Sequence, residues 1–97
     1  MLPLYTELGN TYLQLKRYKP AEMAFKNALK INSYFVNAHY GLAGAYLQQN
    51  RHTEALEELQ KVIELAPDSK EAQHARDIVQ QIAQKKLNAP TTETDNP

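Results

Sequence analysis

The stretch LGNTYLQLKRYKPA, residues 8–21, returns 34 residues later as LAGAYLQQNRHTEA, residues 42–55. Leu8, Tyr12, Leu13, Gln14, Arg17 and Ala21 come back unchanged as Leu42, Tyr46, Leu47, Gln48, Arg51 and Ala55. Beyond this window the register holds in chemistry: Gly9 pairs with Ala43, Phe25 with Leu59, Ala28 with Val62, Leu29 with Ile63 and Ile31 with Leu65. Periods of this size mark arrays in which each unit is one supersecondary element stacked on the next. Such arrays present an extended surface to partners and rarely carry chemistry of their own.

The apolar spacing predicts five helices. From Leu2 to Leu15 the positions Leu4, Leu8, Tyr12 and Leu15 step by three or four, a helical stripe. Pro3 suits the first turn, where its missing N–H costs nothing. A second helix is expected from Pro20 to about Ile31, burying Ala21, Ala24, Phe25, Ala28, Leu29 and Ile31. Asn32 and Ser33 interrupt it and offer caps for a third, Phe35 to Gln49, with Ala38, Leu42, Ala45 and Tyr46 inward. Thr53 is the expected cap of a fourth helix, whose core face is Ala55, Leu56, Leu59, Val62, Ile63 and Leu65. Pro67 ends it. Asp68 with Glu71 reads as a capping box for a fifth helix over about 69–86. That last helix is rich in Gln, Lys and Arg, and Ala72, Ala75, Ile78, Val79 and Ile82 form a narrow apolar seam, as the closing element of an array requires. Residues 88–97 hold two Pro, three Thr and no large apolar side chain, and are expected to be a disordered tail. Period-two alternation appears nowhere over a useful length, so the fold should be all-α.

Composition narrows the function. The chain has 97 residues, enough for one core. Eleven basic and eleven acidic side chains cancel, so no net field favours nucleic acid or an anionic membrane. Without cysteine there are no disulfides and no thiolate metal sites. No apolar run reaches the length of a membrane span, and Met1 opens no signal-peptide pattern. The expectation is a cytoplasmic protein, with an upstream anchor or signal left open.

Tyr5, Leu8, Gly9, Tyr12, Ala21, Phe25 and Ala28, answered by His39, Leu42, Ala43, Tyr46, Ala55, Leu59, Val62 and Pro67, make the chain resemble the tetratricopeptide repeat family. The resemblance implies a right-handed α-solenoid of antiparallel helix pairs. Repeat 1 falls at 2–35, repeat 2 at 36–69 and a capping helix at about 69–86, giving a domain over 1–87. Small residues at Gly9/Ala43 and Ala21/Ala55 let paired helices approach, while Tyr12/Tyr46 and Phe25/Leu59 fill the space left. Tyr5 and His39 stand where the family usually has Trp, and Ser33 replaces the terminal Pro of the first unit.

Members of that family usually hold an extended or helical peptide in a concave groove lined by the first helix of each unit. On that resemblance the groove comprises Thr6, Glu7, Asn10, Leu13 and Gln14, then Asn37, Tyr40, Gly41, Gly44, Leu47 and Gln48, then Glu71, His74, Ala75, Ile78 and Ile82. Tyr40 is the expected anchor, as a stiff aromatic with a hydroxyl. Asn10 is the expected backbone clamp, with two donors and an acceptor on one amide. Gly41 and Gly44 each cost about 1 kcal/mol relative to Ala inside a helix. They serve close approach of a ligand backbone, close helix packing, or nothing at all. One subclass grips the acidic C-termini of chaperones through a basic clamp. At the clamp positions this chain has Thr6, Asn10, Gly41, Glu71 and Ala75. Only Asn10 matches and Glu71 would repel a carboxylate, which argues against such a partner.

Chemistry beyond binding finds no support. His39, His52 and His74 do not share a helix face at metal-ligand spacing. His39 reads as a packed substitute for an aromatic. Glu54, Glu57, Glu58 and Glu64 read as a solvated face. There is no phosphate loop and no nucleophile–base constellation, so neither an enzyme nor a cofactor is expected. Two functions remain in view. The first is a scaffold or assembly adaptor that binds a protein or peptide in the groove. The second is a self-associating piece, or a fragment of a longer array, that uses the uncapped face of Leu4, Leu8 and Leu15. RNA binding lacks both a basic stripe and stacking aromatics.

Overall fold

The computed structural model describes residues 2–88. The elements are α1 (Leu2–Gln14), α2 (Tyr18–Ile31), α3 (Val36–Gln48), α4 (His52–Leu65) and α5 (Lys70–Asn88), with no strand among the described residues. Each helix packs on the next in chain order, and α1 also touches α3. This is the all-α helical-repeat architecture that the 34-residue period demands.

The period is visible in the backbone as well as in the side chains. Lys16 and Asn50 both adopt left-handed conformations, with φ of 61° and 59°. At the first turn Arg17 N donates to Tyr12 O at 2.8 Å and Lys16 N to Leu13 O at 3.0 Å. At the second, Arg51 N donates to Tyr46 O at 2.9 Å and Asn50 N to Leu47 O at 3.0 Å. Both are Schellman closures, which use up the carbonyls left over at a helix end.

Helix starts depart from expectation. α2 begins at Tyr18, two residues before Pro20. First-turn N–H groups have no intrahelical acceptor, so a proline is tolerated there without having to lead. Arg51, not Thr53, is the N-cap residue of α4, and no side chain caps it. Phe35 precedes α3, while Asn32 Oδ1 accepts from Tyr34 N at 3.0 Å in a local turn. At α5 the cap is Ser69: its Oγ accepts from Ala72 N at 3.0 Å and donates to Ala66 O at 2.7 Å. The hydroxyl displaces the expected Asp68 because it sits three residues before the N–H it must reach. α5 also runs on to Asn88, the first residue of the expected tail; residues 89–97 lie outside the described residues.

Two adjoining clusters make the core. Ala21, Phe25, Ala28, Ala38, Leu42, Ala45, Tyr46 and Ala55 form one; Ala43, Leu59, Val62, Ala72 and Ala75 form the other. Ile31 and Leu65, expected inside, are exposed at the ends of their helices. Of the α1 stripe only Tyr12 packs against the core, whereas Leu4, Leu8 and Leu15 face outward.

The glycines divide by role. Phe25 is completely buried, and a Cβ built on Gly9 would sit 2.6 Å from its ring. A Cβ on Gly41 would overlap the same ring. Gly9 of α1 and Gly41 of α3 therefore form a slot for Phe25 of α2, so Gly41 is explained by helix packing. Gly44 is different: its nearest neighbour would be Leu13 Cδ1 at 3.9 Å, an ordinary contact. Gly44→Ala should thus raise stability by about 0.5–1 kcal/mol through helix propensity alone. A urea unfolding curve with an unshifted or lowered midpoint would contradict this.

Candidate peptide-binding groove

The first helices of the two units and the closing helix, α1, α3 and α5, line a chain of shallow depressions. The first, of about 430 Å³, is bounded by Pro3, Thr6, Glu7, Asn10, Phe35, Asn37, Tyr40 and Gly41. A second, of about 210 Å³, shares Asn10, Tyr40 and Gly41 with it and adds Leu13, Ala43, Gly44, Leu47, Leu59, His74 and Ile78. Leu13 and Gly44 carry the surface toward Gln14, Lys16, Tyr18 and Gln48. Leu47 and Ile78 carry it toward Asn50, His52, Gln81, Ile82 and Lys85.

The nine residues singled out from the sequence occupy distinct stations here. Leu13, Gly44, Leu47 and Ile78 form an apolar floor. Asn10 and Asn37 stand at the rim, and neither carboxamide has a partner among the described residues. Tyr40 and His74, 34 residues apart, are joined by a hydrogen bond between the phenolic oxygen and Nδ1. Their rings lie 5.7 Å apart, centroid to centroid, tilted at 54°. Burial pushes the Tyr40 phenol pKa up and the charge of Glu71 adds to this, so the hydroxyl stays neutral. Thr6 is buried, its hydroxyl donating to Pro3 O at 3.1 Å. Ala75, also expected in the groove, is fully buried against α4 instead. Glu7 lines the first depression, whereas Lys16 and Lys85 line the two outlying ones. Phe35 and Pro3 also line the first depression, although neither was among the groove residues that the resemblance implies.

Two polar clusters brace this surface from behind. Glu22, nearly inaccessible, accepts from Arg51 Nη1 at 2.8 Å, Lys26 Nζ at 3.1 Å and Gln49 Nε2 at 3.3 Å. Burial pushes its pKa up, but these three donors outweigh burial and hold it below the usual carboxylate range. Arg51 also donates from Nη2 to Glu54 at 2.7 Å and lies over the Tyr46 ring at 4.5 Å. One guanidinium thereby ties α2, α3 and α4 together. The only sequence signal was the exact return of Arg17 as Arg51.

His39 is packed, as expected, but it is also held by polar contacts at both ring nitrogens. Buried in α3, its Nδ1 lies 2.7 Å from Glu58 Oε1 and its Nε2 lies 2.7 Å from Ser33 O. Glu58 is accordingly not part of a solvated face, and Glu54 is engaged by Arg51. Burial lowers the His39 pKa, yet the hydrogen bonds to Glu58 and Ser33 raise it more, and the net shift is upward.

Among the described residues no group of three His, Cys, Asp or Glu side chains could hold a metal ion. No helix among them is long and apolar enough to cross a membrane.

The family model described as "Tetratricopeptide repeat" matches residues 12–82, most of the chain. The chain belongs to the tetratricopeptide repeat family. It is also similar to ETO1-like protein 2 of Arabidopsis thaliana, at 42% identity over 57 residues. That match covers 59% of this chain but only 6% of the relative, which is a far longer protein. Tetratricopeptide repeats typically act as non-catalytic platforms for binding other proteins.

Proposed function

We propose that this tetratricopeptide repeat domain binds an extended segment of a partner protein along α1, α3 and α5, as a scaffold or assembly adaptor in the cytoplasm. The observation that carries this reading is the joining of an apolar floor to two unengaged carboxamides. Leu13, Gly44, Leu47 and Ile78 give a side chain somewhere dry to go, while Asn10 and Asn37 offer donors and acceptors to a peptide backbone. Tyr40, fixed by His74, stands between the two depressions and serves as the aromatic anchor. Chaperone C-terminal carboxylates are poor ligands for this surface. Gly41 and Ala75, at positions where the clamp is built, are buried, and Glu71 brings the wrong charge.

Peptides selected on the immobilised domain from a random display library provide the probe. Tyr40→Ala and Asn10→Ala are expected to weaken the selected peptides by about ten- to a hundredfold in fluorescence anisotropy. Unchanged affinity in both variants would refute the groove assignment.

A further inference from the structure

The outer face of α1 carries a stripe that no described helix covers. Leu4, Leu8, Thr11 and Leu15 are spaced by four, three and four residues. The three leucines are 60%, 41% and 61% exposed. The same stations on α3 are Ala38, Leu42, Ala45 and Gln49. There α2 seals the face, leaving Leu42 at 2% and both alanines at 0% exposure.

Compared with the second unit, the first keeps Leu8 and Arg17 but lacks the other groups that seat α3 on the preceding hairpin. The joint between the two units is fixed by Glu22, which accepts from Gln49 and Arg51, while Arg51 also holds Glu54. In the first unit Arg17 persists, but Leu15 replaces Gln49 and Pro20 replaces Glu54. Of the polar ties only the arginine remains. The alanines that allow close approach are replaced by Leu4 and Thr11. What stands in their place is a seam of three leucines and one threonine with the four–three–four spacing that packs helix on helix, knobs into holes.

That seam is its own complement. A second α1 laid antiparallel, about a two-fold axis level with Gly9 and Asn10, sets Leu4 against Leu15 and Leu8 against Thr11. Each pair then occurs twice, as an isologous contact requires. The flanking Glu7 meets Gln14, so no like charges oppose each other. A formal net charge of zero adds no long-range repulsion between copies. We propose that α1 is a homodimerisation helix, with a second copy of this chain docked antiparallel on its Leu4–Leu8–Leu15 face. The three leucines line none of the groove depressions, so this contact stands apart from the peptide-binding reading.

Sedimentation of the full chain over a dilution series is expected to show a reversible monomer–dimer equilibrium. Leu8→Glu lies next to the axis and strikes the contact twice, and it should weaken association by about a hundredfold. Helicity by circular dichroism should be retained, because the side chain is already exposed; Leu4→Glu serves as the second variant. The chain has no cysteine, so Leu4→Cys mixed with Leu15→Cys should form a mixed disulfide faster than either alone. Tyr40→Ala should leave the dimer intact. A strict monomer at millimolar concentration overturns the proposal, and so does a dimer that survives both glutamate variants. Equally damaging would be Leu4→Cys coupling to itself as fast as to Leu15→Cys, or a dimer lost in Tyr40→Ala.

Discussion

Phe25→Ala is expected to lower the unfolding free energy by about 3–5 kcal/mol, the range for deleting a buried aromatic ring. The ring is wholly inaccessible and lies in the slot between Gly9 and Gly41. It is therefore a side chain through which α1, α2 and α3 meet. Its removal leaves two glycines facing a void, and glycines offer nothing that could move in to fill it. Small domains bury proportionally less surface, so such a loss is a large fraction of the total stability. Urea denaturation followed at 222 nm measures it; a midpoint equal to that of the unmodified protein would show that the ring does not hold the first unit together. The slot also makes a converse prediction. Gly41→Ala should cost about 1–3 kcal/mol by overpacking. Combined with Phe25→Leu, it should cost less than the two changes summed, because the smaller side chain vacates the space that the new methyl group needs.

The second large effect is on pH dependence. His39 lies between a carboxylate and a carbonyl, neither of which can donate, so both ring nitrogens must carry protons to make both hydrogen bonds. The charged groups that bear on it are Glu58, which favours the imidazolium, and Lys61, which opposes it. Its pKa is raised in the folded chain, so folding takes up a proton. The stabilisation is complete below the ordinary histidine value and is lost as pH rises through the elevated folded value. Melting temperature should accordingly fall as pH rises above the ordinary histidine value and through the elevated folded one, with about 1–2 kcal/mol lost as one charge-assisted hydrogen bond goes. Glu58→Gln should flatten that slope, because an amide can donate to a neutral ring. A slope that persists unchanged in Glu58→Gln would assign the pH dependence to another group.

Much of the architecture was legible along the chain. The return of Leu8, Tyr12 and Ala21 as Leu42, Tyr46 and Ala55 defines the units, and three- and four-residue spacing defines the helices. Helix starts were less legible, because a cap depends on one dihedral and one hydrogen bond. Ser69 and Asp68 offer similar chemistry, and only the backbone decides between them. Gly41 and Gly44 read alike in sequence, yet one faces Phe25 across a helix contact and the other faces open space. Glu22 carries no signal in the sequence, since Gln49 and Arg51 are far along the chain and reach it only when α2 and α3 cross.

The sequence by itself determined that this chain is a tandem of helical hairpins with small residues set against large ones. Periodicity governs neighbours three and four residues apart, and those neighbours make a helix and its faces. Only the tertiary structure decided that Phe25 lies against Gly41 and not Gly44, and that His39 is held by Glu58 and Ser33. These outcomes depend on how the helices cross. A few degrees of crossing angle, set by many contacts at once, move a side chain from solvent to core without changing the spacing that produced the helix.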